Sequence, residues 1–308
     1  MQLIRDLNDY TPTMPLALAI GNFDGLHLGH RAVLARMMEA AQAQGLGRAL
    51  LTFEPHPRRF FAPDAPPFRL QTLHDKLADL QALGVEYVFA LRFNAAFAGR
   101  TAEDFLTLLE ARMRVRAVVT GENFVFGRGR GGDAALLEQW GAAHGITIHA
   151  VPPVAVGGQV CSSTTVRAAL ERGEMTAAAA LLGHPYAMTG RVRHGDKRGR
   201  ELGYPTANIL PPVGMKLPRF GIYAMRVRVD GQAHGAVASL GIRPMFALAR
   251  PQLEVHLLDY AGDLYGKKLR VEYGRHLRDE KRFDSLAALT QQMGEDAAMA
   301  RQWLQENA

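Results

Sequence analysis

Two histidines three residues apart, His27 and His30, close the ten-residue stretch Gly21 to His30, GNFDGLHLGH. Imidazoles donate hydrogen bonds to phosphate oxygens, and this spacing puts both on one face of a first helical turn. Gly29 between them leaves room for a ligand to come close. An apolar run before the stretch, Leu16 to Ile20, reads as a strand. The helical pattern after it sets Leu28, Val33, Leu34, Met37 and Met38 on roughly one face. A strand-to-helix turn aims backbone N–H groups and the positive end of the helix dipole at its guest, so an anion, most economically a nucleotide phosphate, fits there. A zinc pair fits less well, because zinc needs a third ligand and no HExxH pattern accompanies the histidines.

Other stretches carry chemistry too. Arg191 to Asn208, RVRHGDKRGRELGYPTAN, is a basic glycine-rich loop, in which glycines let the chain wrap phosphates and cations attract them. Such a loop also suits nucleic acid, but no aromatic stacking pattern lies beside it. Glu254 stands in the alternating run LEVHL, with Leu253, Val255 and Leu257 on the opposite face. The Ser/Thr cluster in CSSTTVR, Cys161 to Arg167, is a ready helix N-cap. His56 lies between two prolines in a rigid turn, and Gly121 to Asp133 is a loop with five glycines and two arginines that reads equally as a flexible cationic turn.

These residues need elements to hold them. In the first half, strands are expected at Leu16 to Ile20, Arg48 to Phe53, Val85 to Leu91, Arg116 to Thr120 and Ile146 to Val151. Helices between them start at capping patterns, Thr72 with Asp75, Thr101 with Asp104, and Asp133. The proline- and aromatic-rich EPHPRRFFAPDAPPF reads as loop. This alternation predicts an α/β fold with a parallel sheet covered on both faces. Ligands then bind beyond the carboxyl ends of the strands, which brings Gly21 to His30, Glu54 to Pro57 and Gly121 to Asp133 to one edge. After Leu181 to Tyr186 the period drops from 3.6 to 2, in runs such as Ile222 to Val229, Ala236 to Leu240, Gln252 to Asp259 and Lys268 to Tyr273. Those short strands predict a small closed barrel, with an amphipathic helix from Ser285 to Trp303 to cover it. A chain of 308 residues suits two domains, and 48% hydrophobic with 21% charged residues is globular composition. The net charge of +6 suits anionic partners, from nucleotides to polyanions. Cys161, the only cysteine, excludes an intrachain disulfide, and the polar, proline-broken start reads as neither signal peptide nor membrane span, so a cytoplasmic protein is expected.

GNFDGLHLGH resembles the HxGH signature of the nucleotidylyltransferase superfamily, and its GxFDGxHxGH form is similar to that of the prokaryotic bifunctional riboflavin kinase/FAD synthetases. Gly199 to Asn208, GRELGYPTAN, resembles the riboflavin kinase signature GRxLGxPTAN. The resemblance runs from about residue 15 to about residue 300. It implies a nucleotidylyltransferase-type, Rossmann-like domain at residues 1–183 that adenylylates FMN with ATP to FAD and pyrophosphate. A riboflavin kinase barrel with a C-terminal helix at 184–308 would turn riboflavin and ATP into FMN. By the family's pattern His27 and His30 are catalytic in the first domain. Gly21, Asn22, Phe23, Asp24 and Gly29 bind ATP there, with Ser163, Thr164 and Arg167 as a second phosphate clamp. Asp24 acts through magnesium or through the turn itself. His56, Pro57 and Asn123 contact the flavin. In the second domain Gly195, Lys197, Gly199 and Arg200 form the phosphate loop, Thr206 and Asn208 hold Mg2+, and Glu254 is the base. The pattern departs at Glu54, usually Asp, at Thr165, often Arg, and at Ser239 and Met245 in SLGIRPMF, where polar partners are usual. Those last two raise the alternative of an FAD synthetase with an impaired kinase. Small-molecule partners are expected, with neither nucleic acid nor membrane among them. The oligomeric state stays open.

Overall fold

The structure is a computed structural model that describes residues 1–195, 199, 202–245 and 248–307, and for 243–245 and 248–249 the backbone alone. The chain forms two compact units, one of Met1–Pro66 with Lys76–Ser162, the other of Pro67–Asp75 with Ser163–Ala308. Among the described residues no helix is long and apolar enough to cross a membrane.

The first unit is built on a six-stranded sheet of β1 (Gln2–Ile4), β2 (Leu16–Ile20), β3 (Gly47–Phe53), β4 (Tyr87–Leu91), β5 (Val115–Gly121) and β6 (Thr147–Val151), in the order β1-β4-β3-β2-β5-β6. Every pairing is parallel. The central strand β2 is LALAI and buried throughout, as a strand covered on both faces must be. Its alternation sorts the two faces: Leu16, Leu18 and Ile20 join one core with Phe105 and Leu109. Ala17 and Ala19 join the other with Val33, Leu34 and Met37 of α1 (Leu28–Gln44). Small residues on that second face let α1 settle close to the sheet. The other helices are α2 (Pro57–Phe61), α3 (Leu73–Ala82), α4 (Ala95–Ala98), α5 (Ala102–Met113) and α6 (Ala134–His144), followed by an exposed hairpin of β7 (Ala155–Val156) and β8 (Gln159–Val160). The capping signals hold: Thr101 and Asp104 form a full capping box, and Asp133 accepts from the Leu136 amide at 2.9 Å.

Two expectations need correction. EPHPRRFF is not all loop, because Pro57 occupies the first turn of α2, where its missing N–H is no loss, and His56 Nδ1 accepts from the Arg58 amide at 3.1 Å. The chain's opening also adds an edge strand, β1, paired to β4 through Gln2, Leu3 and Ile4.

In the second unit α7 (Ser163–Arg172) and α8 (Met175–Leu182) lead into β9 (Ala187–Arg193), β10 (Ala207–Ile209), β11 (Gly221–Val229), β12 (Gln232–Met245), β13 (Leu248–Leu257) and β14 (Lys268–Arg278). These close into a barrel in the order β10-β13-β12-β11-β14-β9, antiparallel at every pairing. Tyr223, Met225 and Val227 fill its interior by strict alternation. Outside, Ala224, Val237 and Leu258 meet Ala297 and Ala300 of the C-terminal helix α9 (Leu286–Glu306), with Trp303 and Leu304 packed alongside. Ser285 caps α9 by accepting from the Ala288 amide at 3.1 Å. Residues 67–75 belong to this unit by contact: Phe68 and Arg69 amides donate to the Gly214 carbonyl at 3.1 and 3.0 Å, and Lys216 returns a bond to the Arg69 carbonyl at 2.7 Å.

Candidate functional sites

At the carboxyl edge of the sheet a cavity of about 890 Å³ gathers the three expected loops, with Gly21, His27, His30, His56, Pro57 and Asn123 among its walls. Asn22, Phe23 and Gly29 also line it, whereas Asp24 is buried beneath the turn, 2 % exposed. The turn takes left-handed backbone at Phe23, Gly25 and Leu26. It delivers His27 as the N-cap of α1, outside the helix proper. His27 Nδ1 accepts from the His30 amide at 3.3 Å, so a neutral His27 ring carries its proton on Nε2. The two imidazoles stack at 3.6 Å between centroids, and Phe23 flanks His30 at 5.0 Å. Two imidazolium charges at that separation repel. The pair therefore suits donation of hydrogen bonds to an anion rather than service as a double cation. The His30 amide is taken up by His27, while the Leu28 and Gly29 amides precede the first intrahelical bonds and so remain donors for an anion.

Gly29 lines the cavity and is also pressed by protein atoms. A Cβ there would meet the Cys161 carbonyl at 3.0 Å and the His27 ring at 3.1 Å, so it is protein that approaches closely. Cys161 is buried, and burial pushes its thiol up, which keeps it a neutral wall rather than a nucleophile. The Gly121 to Asp133 loop is a fixed structure. Phe126 and Gly132 exchange both backbone hydrogen bonds at 2.9 Å, Arg128 N donates to the Arg100 carbonyl at 2.7 Å, and a Cβ on Gly127 would strike Ala102 N at 2.6 Å.

Sequence reasoning missed two features of this site. One is an aromatic wall: Phe53 meets Phe93 at 5.5 Å and Phe97 at 5.1 Å, Phe60 meets Phe93 at 5.5 Å, and Phe124 stacks on Phe126 at 5.4 Å. Its local signals were the spacing of Phe93 and Phe97 by four, the pair Phe60 and Phe61, and Phe124 with Phe126 two residues on. The other is a pair of donors behind the turn, Thr52 and Lys76, both directed at the Asn22 carbonyl. Ser163, Thr164 and Arg167 lie in the second compact unit. There Arg167 Nε donates to the Phe68 carbonyl at 2.6 Å, with the guanidinium 5.6 Å from that ring's centroid.

The second unit has its own cavity, about 860 Å³, lined by Gly195, Gly199, Thr206, Asn208 and Glu254. Strand register explains the grouping. Asn208 of β10 and Ser239 of β12 are the direct partners of Glu254 on β13, so the three side chains form a row across neighbouring strands. Leu253, Val255 and Leu257 turn to the buried face, as the alternation predicts. Gln252, 8 % exposed, donates through Nε2 to Asn208 Oδ1, and His256 Nδ1 contacts the Pro205 carbonyl at 2.9 Å. Sequence reasoning passed over Gln252, although its two-residue spacing from Glu254 places it on the same face. Side chains are excluded at Gly195 by Asn208 and at Gly199 by the Tyr204 carbonyl. Lys197 and Arg200 lie outside the described residues, as does the side chain of Met245. One wall is closed by a buried bidentate pair, Arg278 to Asp296 at 2.7 and 2.6 Å, which ties β14 to α9. Thr206 and Asn208 offer hard oxygen donors, and among the described residues no group of three His, Cys, Asp or Glu side chains is set to hold a metal.

Comparison with known proteins matches both halves. The family described as FAD synthetase matches residues 11–165, and the family described as riboflavin kinase matches residues 182–304. A bifunctional riboflavin kinase/FMN adenylyltransferase of Escherichia coli (strain K12) is 42% identical over 98% of this chain and 98% of its own. Enzymes of the same description from Pseudomonas fluorescens and Bacillus subtilis (strain 168) are 41% and 34% identical, over 98% and 91% of this chain and 97% and 89% of theirs. A crystal structure from Streptococcus pneumoniae, described as a macrolide-efflux protein, shares 30% identity and a TM-score of 0.90, covering 98% of this chain and 99% of that one. With both cavities and both family matches in place along the chain, it belongs to the bifunctional riboflavin kinase/FMN adenylyltransferase family.

Proposed function

We propose that the chain makes FAD from riboflavin in two steps, each confined to one cavity, with the labour divided near residues 183 and 184. In the barrel cavity riboflavin is phosphorylated by ATP to FMN. In the sheet cavity FMN is adenylylated by a second ATP, releasing pyrophosphate. The observation that carries this reading is that each family match contains one cavity, lined in the first by Gly21, His27 and His30 and in the second by Gly199, Thr206, Asn208 and Glu254.

Riboflavin's terminal ribityl hydroxyl is a poor nucleophile at neutral pH. Glu254 accepts its proton as the γ-phosphoryl group transfers, and Gln252 holds the Asn208 amide beside it. The apolar side of the cavity, Phe283, Leu286, Leu289 and Met293, suits the flavin ring. The hydroxyl of Thr206 and the amide oxygen of Asn208 would hold Mg2+, a hard cation that prefers such oxygens. When bound there, the ion neutralises phosphate charge. Gly195, Lys197, Gly199 and Arg200 complete the phosphate loop. FMN, by contrast, already carries an ionised phosphate, which attacks the α-phosphorus of ATP in line. His27, His30 and the first turn of α1 donate to the negative charge that develops. Gly21, Asn22, Phe23, Asp24 and Gly29 shape the nucleotide turn. The isoalloxazine lies against the phenylalanine wall near His56, Pro57 and Asn123.

Both cavities suit small anions and planar rings, so ATP and flavins are the partners, rather than nucleic acid. The reducing cytoplasm suits a chain whose one cysteine is a buried thiol. A disabled kinase is the less favoured reading, because Ser239 joins the row beside Glu254 without displacing Asn208 or Thr206. Incubation with riboflavin, ATP and magnesium, resolving FMN from FAD by chromatography, is the test. FAD formed from riboflavin is expected; FAD formed only from added FMN restores the impaired-kinase reading.

A further inference from the structure

A lysine to which the reaction above gives no role lies buried behind the nucleotide turn. Lys76 is 2 % exposed, and its Nζ donates to the Asn22 carbonyl oxygen at 2.7 Å. Thr52, 1 % exposed, donates its hydroxyl to the same oxygen at 3.0 Å. One carbonyl thus accepts from two side chains, matching its two lone pairs. An ammonium stays out of water only where its gains inside the protein outweigh lost hydration, and a long side chain held still also gives up rotamer freedom. The carbonyl it holds opens a turn that the backbone would not take unaided. Phe23 (φ 47°) and Leu26 (φ 46°) both sit in the left-handed region, with Gly25 (φ 88°) between them. Non-glycine residues persist there only when their surroundings over-determine them.

We propose that Lys76 is a positioning residue for adenylyl transfer. Through the Asn22 carbonyl, and together with Thr52, it fixes the turn that presents His27, His30 and the first amides of α1 to the nucleotide phosphates. The inference rests on the assignment of adenylyl transfer to the sheet unit. A small displacement of reacting groups is costly in rate, so the effect belongs in kcat more than in stability.

The test measures FAD formation from supplied FMN and ATP, and FMN formation from riboflavin, in the same preparations of the full-length parent, Lys76→Met, Lys76→Arg and Thr52→Val. A parent that makes no FAD from FMN removes the underlying assignment and the inference with it. With an active parent, Lys76→Met is expected to lose about a hundredfold in kcat for FAD while FMN formation stays within about twofold. Lys76→Arg, which restores a cationic donor, recovers several-fold of that loss. Thr52→Val keeps shape and lysine and loses about tenfold, as for one hydrogen bond. A folded Lys76→Met with a lowered melting temperature but near-parental kcat overturns the proposal. If Lys76→Met does not fold, Thr52→Val decides: a parental rate overturns the proposal and a selective loss of FAD synthesis supports it.

Discussion

In the function proposed above, the nucleotide turn of the sheet unit and the strand row of the barrel unit would both meet ATP phosphates, yet they are made of different parts. In the turn, the site is contiguous chain: within Gly21 to His30 a left-handed loop, a helix end and two stacked imidazoles line the cavity, with the one carboxylate, Asp24, buried behind them. In the barrel, Glu254 and Ser239 come from the consecutive strands β13 and β12, Asn208 joins them from the more distant β10, and the row includes a carboxylate that can accept a proton. The nucleophiles account for the contrast. An ionised phosphate needs its attack guided and its product charge stabilised, which backbone and imidazole donors do. A neutral hydroxyl needs a base as well, and a carboxylate set on a strand face provides one.

Substitutions should break the two sites separately. Glu254→Gln keeps size and hydrogen bonding but removes basicity, so riboflavin phosphorylation should fall by about two to four orders of magnitude while supplied FMN still becomes FAD. Kinase turnover within a few-fold of the parent in the folded variant would show that Glu254 only faces solvent on its strand. His30→Ala should do the converse, lowering FAD synthesis roughly a hundredfold, about 3 kcal/mol, with FMN formation near normal. Equal loss of both activities in a stable variant would argue for one shared site. Gln252→Leu is the mildest of the three. Without its donor the Asn208 amide is no longer fixed, and a neutral hydrogen bond of about 1 kcal/mol converts to roughly a tenfold loss of kinase rate. Steady-state assays at varied magnesium should show that loss in the barrel reaction alone.

Much of this was legible in local sequence, and what escaped was long-range or short. Capping residues and periodicity locate α5, α6 and the central strands because those signals sit within one turn or one pleat. β1 is three residues with one buried side chain, too short to show a period, and α2 is a single turn among prolines. The loops of the sheet site converge as the carboxyl-edge rule requires. Their supports do not announce themselves: Lys76 reaches Asn22 from 54 residues away, and Gln252 reaches Asn208 from 44. Gly29 shows the same limit in part, since the space for a side chain there is narrowed by the distant Cys161 carbonyl as well as by the nearby His27 ring.

The central claim is that two chemically independent sites act in series, and mixing the two single-site variants tests it directly. Alone, Glu254→Gln should make little FMN or FAD from riboflavin, and His30→Ala should accumulate FMN with little FAD. Combined with riboflavin, ATP and magnesium, they should form FAD, because FMN released by the second is adenylylated by the first. No FAD from the mixture, with each variant folded and retaining its expected half-reaction, would contradict the account.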